Sequence, residues 1–203
     1  MLIVITGLDG SGTSTIAEKI SKLDKGSHLR RTPGEEFSDR HEIDHALRNE
    51  SSVGHLLYYL SSVVAASDYI KKHFDYKNKN VYLVRYLIDT VVSNRVAGIP
   101  IDLNYNIYGD DLLVPDLTIF LKVDENERQE RISKRGKDEL DKVLDDYEKR
   151  ERFLEEYNKL LLPENTLFIN NKENPDIVSE KVYQKVLEYE KKYNQIGYSD
   201  KII

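Results

Sequence analysis

The sequence predicts an α/β protein built on a five-stranded parallel sheet with helices on both faces. Short apolar runs alternate with segments of helical periodicity along the 203 residues, and such alternation closes as a parallel sheet with crossover helices. The first run, Leu2-Ile3-Val4-Ile5-Thr6, is continuously apolar and β-branched, as strands buried on both faces are. That strand enters a glycine-rich turn, and an amphipathic segment follows it.

The elements follow in order. Ile16, Ala17, Ile20 and Leu23 lie at helical spacing and place a helix over Ser14–Leu23. A second strand is expected at Ser27–Arg31, ended by Pro33-Gly34. Apolar positions 56, 60, 63, 64, 70 and 74 trace a long amphipathic helix. Val81–Val84 reads as the third strand, Leu87–Ala97 as a helix, and Ile99–Val114, with Pro100 and Gly109, as a loop. A fourth strand at Leu117–Val123 leads into a short helix at Glu125–Lys134. Gly136–Asp141 breaks the pattern before a charged helix near Lys142–Leu161. Pro163 closes that helix, Leu167–Ile169 gives the fifth strand, and Pro175–Tyr193 the last helix. With no repeat and no linker, residues 1–193 read as a single domain and 194–203 as a tail.

Composition narrows the function. The 30 basic and 36 acidic residues leave a net charge of −6, which argues against coating nucleic acid. There is no cysteine, so disulfides, thiolate zinc sites, iron–sulfur clusters and thiol nucleophiles are excluded, and a reducing cytoplasm is the expected compartment. No run of some 18 apolar residues suggests a membrane span. None of the five histidines pairs with a nucleophile, which leaves an acid–base hydrolase unsupported.

Gly7-Leu8-Asp9-Gly10-Ser11-Gly12-Thr13-Ser14 has the G-x-x-x-x-G-x-[ST] skeleton of a phosphate-binding loop. Glycines let backbone N–H groups approach phosphate oxygens, and the helix that follows points its positive end at the same anion. Gly7, Gly10, Gly12, Thr13, Ser14 and Thr15 are the candidate nucleotide-binding residues, with the Ser14 hydroxyl at the magnesium position. Thr13 departs from the pattern. A lysine normally occupies this position and reaches the β- and γ-phosphates, and losing such a donor costs about 10²–10³ in rate unless another cation substitutes.

Beyond this loop the chain resembles the thymidylate kinase family. Arg31-Thr32-Pro33-Gly34 resembles its Arg-Glu-Pro-Gly-Gly turn, and Val84-Arg85-Tyr86 its Asp-Arg-Tyr motif. Thr90, Ser93 and Asn94 fall on the family's downstream Ser, Tyr and Gln. Pro115–Asp124 is similar to its fourth strand, Arg131–Asp141 with Glu139-Leu140-Asp141 to its lid, and Ile169-Asn170-Asn171 to its adenine loop. The resemblance keeps its order over positions 2–187. It implies a P-loop kinase three-layer sandwich that uses ATP and Mg2+ to phosphorylate a nucleoside monophosphate, with dTMP the leading acceptor, and it implies a homodimer. Two other readings stay open: a P-loop kinase for another small acceptor, and a nucleotide-binding protein with weakened catalysis. The missing charges at Thr13 and Val84 motivate the latter.

The resemblance also distributes roles. Arg85, at the carboxyl end of the third strand, clamps the acceptor phosphate. Asp9 accepts a hydrogen bond from the acceptor sugar, and Arg135 brings the lid's charge to the γ-phosphate. Arg31, Pro33, Tyr58, Ser62, Thr90 and Asn94 line the acceptor, Tyr58 being preferred to its neighbour Tyr59 as the base-stacking ring. Arg150 and Arg152 read as surface residues of a mixed-charge helix.

Overall fold

The computed structural model describes residues 1–106, 112–136 and 143–196. Five parallel strands, β1 (Leu2–Gly7), β2 (His28–Arg31), β3 (Val81–Val84), β4 (Leu117–Lys122) and β5 (Thr166–Asn170), form one sheet in the order β2-β3-β1-β4-β5. β1 is central and pairs with β3 and β4. Its two neighbours belong to opposite halves of the chain, and at such a switch point their connections leave a crevice at the carboxyl edge.

The helices are α1 (Thr13–Leu23), α2 (Arg40–Glu50), α3 (Ser52–His73), α4 (Leu87–Val96), α5 (Glu125–Arg135), α6 (Tyr147–Leu160) and α7 (Pro175–Ile196). Alternate residues of β1 feed opposite faces, as a period of two requires. Ile3 and Ile5 pack with Ile16 and Ile20 of α1 and with Val178, Val182 and Val186 of α7. Leu2 and Val4 pack on the other side with Val63 and Ile70 of α3 and Val91 of α4. A third cluster, Ile88, Val92, Phe120, Tyr157 and Leu161, wedges α6 against α4 and β4.

All five expected strands are present, and the differences lie at helix ends and in α2, a helix that the sequence reading did not place. The long helix starts at Ser52 instead of 56 because Ser51 caps it, its Oγ accepting from the Gly54 N–H at 3.0 Å. The charged helix expected from 142 starts at Tyr147, where the Asp146 carboxylate accepts from the Lys149 N–H. The last helix, expected to end at Tyr193, continues through Ile196. α2 has little apolar periodicity. Asp44, buried at 6%, anchors it by accepting from Arg48, from the Tyr59 hydroxyl at 2.8 Å and from His55 Nε2 at 2.8 Å. Burial alone would raise the Asp44 pKa, but these partners outweigh it and hold the carboxyl well below its ordinary 3.8.

Candidate active site

The glycine loop lies at the carboxyl end of β1. Gly10 and Gly12 adopt φ of 84° and 89°, a region that only glycine enters freely. Space also demands them. A Cβ on Gly12 would stand 2.6 Å from Asn171 Nδ2, and one on Gly10 would stand 2.9 Å from Ile132. Gly12 caps α1 without a side-chain hydrogen bond, and no acidic residue occupies the first turn. The helix therefore offers its first amides and positive dipole end to an anion. Of the residues that open α1, Thr13 is buried, Ser14 half-buried and Thr15 exposed.

Two arginines of α5 hold the outer wall of this loop. Arg128, 1% exposed, donates to the carbonyl of Asp9 at 3.1 Å and to that of Leu144 at 3.2 Å, and pairs with Glu125. Arg131 donates to the Ser11 carbonyl at 3.4 Å and the Asn171 carbonyl at 2.7 Å, while Asn171 Nδ2 donates to Ser11 O at 2.7 Å. Loop, α5 and the end of β5 are thus tied together through backbone oxygens. Arg135 is exposed at the last residue of α5, whereas Arg128 and Arg131 make the described contacts with the loop. Lys137 and the Glu139-Leu140-Asp141 segment of the expected lid lie outside the described residues. Arg150 is not a surface residue: at 13% exposure it donates to Leu144 O at 3.0 Å and lies 3.3 Å from Glu125, because α6 packs back on the base of α5.

Arg85 follows β3 at φ 63°, its amide donating to Ile5 O at 3.0 Å. This backbone places its side chain between two carboxylates: Nη2 donates to Asp9 Oδ1 at 2.6 Å and Nη1 to Asp89 Oδ1 at 2.7 Å. Burial opposes the charge on Arg85, but Asp9 and Asp89 outweigh it and raise its pKa above the ordinary arginine value. Asp89 is itself fixed. Its Oδ1 also accepts from the hydroxyls of Thr6 at 2.6 Å and Tyr157 at 2.9 Å, and its Oδ2 from the Tyr86 N–H at 2.9 Å. Sequence reasoning singled out Asp9 and Arg85 but did not pair them with each other, and it missed Asp89, Tyr157 and Arg128. The signal for Asp89 was its place four residues after Arg85, in the first turn of α4. Tyr157 arrives from far along the chain with no local cue.

The remaining expected residues line the α3 and α4 side. Tyr58 is half-buried and meets Phe37 edge-on at 5.6 Å, while the hydroxyl of Tyr59 is committed to Asp44. Ser62 is buried and donates to the Tyr59 carbonyl of its own helix at 2.7 Å. Asn94 Nδ2 donates to the Thr90 carbonyl at 2.8 Å. Pro33 follows a cis peptide just past β2. Arg31, the last residue of β2, donates from Nη1 to Ser14 Oγ at 3.0 Å and ion-pairs with Glu18.

A parallel sheet of this order, with a glycine loop leaving the central strand, defines a P-loop kinase fold. The comparisons carry this to a family. The family model described as thymidylate kinase matches residues 5–182, and the chain belongs to the thymidylate kinase family. A probable thymidylate kinase of Methanococcus maripaludis is 31% identical over 168 residues, covering 82% of this chain and 80% of that protein. One from Pyrobaculum calidifontis is 30% identical over 149 residues, covering 71% and 75%. Among solved structures, thymidylate kinase from Candida albicans superposes with a TM-score of 0.68 at 19% identity, covering 93% of this chain and 92% of that one. Deoxyadenosine kinase from M. mycoides gives 0.68 at 22% identity, covering 93% and 100%.

Proposed function

We propose that this protein catalyses the ATP-dependent phosphorylation of dTMP to dTDP, releasing ADP. Family membership supports the reaction, and one observation supports its location: a charged Arg85, preset by Asp89 beside the phosphate loop. A guanidinium held in this way is a rigid bidentate site for the phosphate of a nucleoside monophosphate.

The chemistry asked of the chain is positioning and charge stabilisation. An oxygen of the acceptor phosphate attacks Pγ of ATP, the bond from Pγ to the β,γ-bridging oxygen breaks, and ADP leaves with that electron pair. Gly7, Gly10, Gly12, Thr13, Ser14 and Thr15 cradle the donor phosphates with backbone N–H groups. The acceptor phosphate takes the place of Asp9 on Arg85, and Asp9 then turns to the acceptor sugar. Asp89 stays in place and keeps the guanidinium aimed. Tyr58 stacks on the base, with Pro33, Ser62, Thr90 and Asn94 shaping its surroundings, and Arg135 comes in with the lid. Mg2+ takes oxygen ligands and keeps company with phosphates; the half-buried Ser14 hydroxyl at the start of α1 would be its protein ligand, and the ion would neutralise charge on the transferred group.

In this reading residues 1–193 work as one domain with a lid near 131–141, in the cytoplasm, as a homodimer. Val53 and Leu57, 61% and 57% exposed on α3, supply apolar surface for the subunit contact, whereas Val63, Ala66 and Ile70 are committed to the core. Among the described residues no helix is long and apolar enough to cross a membrane. A coupled assay of ADP release with a panel of nucleoside monophosphates tests the function. Turnover highest with dTMP is expected, and no turnover with any of them would refute it.

A further inference from the structure

Thr13 leaves the phosphate loop without its usual side-chain cation, and the structure offers a replacement from another strand. Arg128 and Arg131 are committed to loop carbonyls on the α5 side and to Glu125 and Glu127. Arg85 is committed to Asp9 and Asp89. Arg31 differs from all three. It ends β2 in register with Val84 of β3, and its Nη1 donates at 3.0 Å to Ser14 Oγ, the loop hydroxyl itself. Glu18, one turn further along α1, ion-pairs with Nη2, so the guanidinium bridges the first and second turns of α1.

We propose that Arg31 supplies the phosphate-loop cation that Thr13 lacks, reaching the β- and γ-phosphates of ATP from the end of β2. This role replaces the acceptor-phosphate role that the family resemblance implies for Arg31, and it rests on reading the site as an ATP-dependent kinase. The side chain is 49% exposed, so it can move without breaking the core. A guanidinium has five donors, enough to keep Glu18 while turning from Ser14 Oγ to phosphate oxygens. That turn frees the Ser14 oxygen. The chain thus keeps one cation at the loop while exchanging the point charge of a lysine for a planar fork.

The test combines Arg31→Met, Arg31→Lys, Thr13→Lys and the double variant Thr13→Lys/Arg31→Met. Calorimetry with the non-hydrolysable analogue AMP-PNP and, separately, with dTMP reads binding, and steady-state kinetics read turnover. Arg31→Met is expected to lower kcat by about 10–10²-fold and weaken AMP-PNP about tenfold, with dTMP affinity moving less than about threefold. Arg31→Lys should recover part of the activity that Arg31→Met loses, because it keeps the charge. In the Arg31→Met background, Thr13→Lys should restore about tenfold or more. A double variant as slow as Arg31→Met, or an Arg31→Met protein that loses dTMP and keeps AMP-PNP affinity, overturns the proposal. The AMP-PNP measurement needs no turnover, so a chain inactive on every acceptor would refute the kinase reading and still leave the role of Arg31 decided.

Discussion

Arg85 and Arg31 end neighbouring strands at the same edge of the sheet, yet they are held in opposite ways. Arg85 is 26% exposed between two carboxylates, and one of these, Asp89, is pinned by two hydroxyls and a backbone N–H. Arg31 is 49% exposed and rests on one hydroxyl and the half-exposed Glu18. The first arrangement fixes a direction before any ligand arrives, which is what an acceptor clamp needs, since misplacement by about 1 Å can cost 10²-fold. The second leaves a cation able to follow charge as it develops. On the roles proposed above, the rigid arginine serves the acceptor and the more exposed one the donor.

Removing the fixed member should have the largest effect. Arg85→Ala is expected to lower kcat/KM for dTMP by about 10²–10³, with most of the dTMP affinity lost in calorimetry and nucleotide binding largely kept. A smaller loss than for Arg31→Met would reverse the comparison. Asp89→Asn comes next. It keeps the shape but removes the charge that aims Arg85, and a fall of about tenfold to hundredfold in kcat/KM is expected from steady-state kinetics. Its thermal stability should drop as well, because Thr6 and Tyr157 lose a charged acceptor, at a cost of about 1–3 kcal/mol.

Tyr157→Phe sharpens the same point from α6. One of several bonds to Asp89 is lost, so destabilisation of about 0.5–1.5 kcal/mol in denaturant unfolding is expected, with a rate loss smaller than that of Asp89→Asn.

The least effect on catalysis is expected at Asp44, whose carboxylate network joins α2 to α3 away from the phosphate loop. Its pKa is depressed, so the stability it contributes is present above 3.8 and is lost as pH falls below that value. Asp44→Asn should destabilise the protein by about 1–3 kcal/mol at neutral pH and by less in acid, read from denaturant midpoints at both pH values. An equal loss at both would place its role in packing.

What the sequence revealed follows from the range of each interaction. The strands were legible because parallel strands are apolar on both faces, and the loop because its glycines sit at positions where any Cβ would collide, as at Gly12 with Asn171. Arg85 was legible from its place after a buried strand. The support beneath it was not. Tyr157 meets Asp89 across 68 residues of chain, and Arg128 meets Asp9 across 119. Neither contact leaves a local pattern, and Arg128 sits in a helix so charged that burial could not be read from its neighbours. The same holds for Arg31, whose link to Ser14 joins two elements that are separate in sequence and adjacent only once β2 pairs with β3. The helix ends shifted for a local reason, since single caps such as Ser51 decide them.

The most direct test of the central claim is transfer of label from γ-labelled ATP, with Mg2+, to dTMP and in parallel to dCMP, dAMP and dGMP, with products separated by chromatography. Labelled dTDP as the dominant product, at a rate dependent on Arg85, is the predicted result. Label released only as inorganic phosphate, or found on no nucleoside monophosphate, would contradict the assignment.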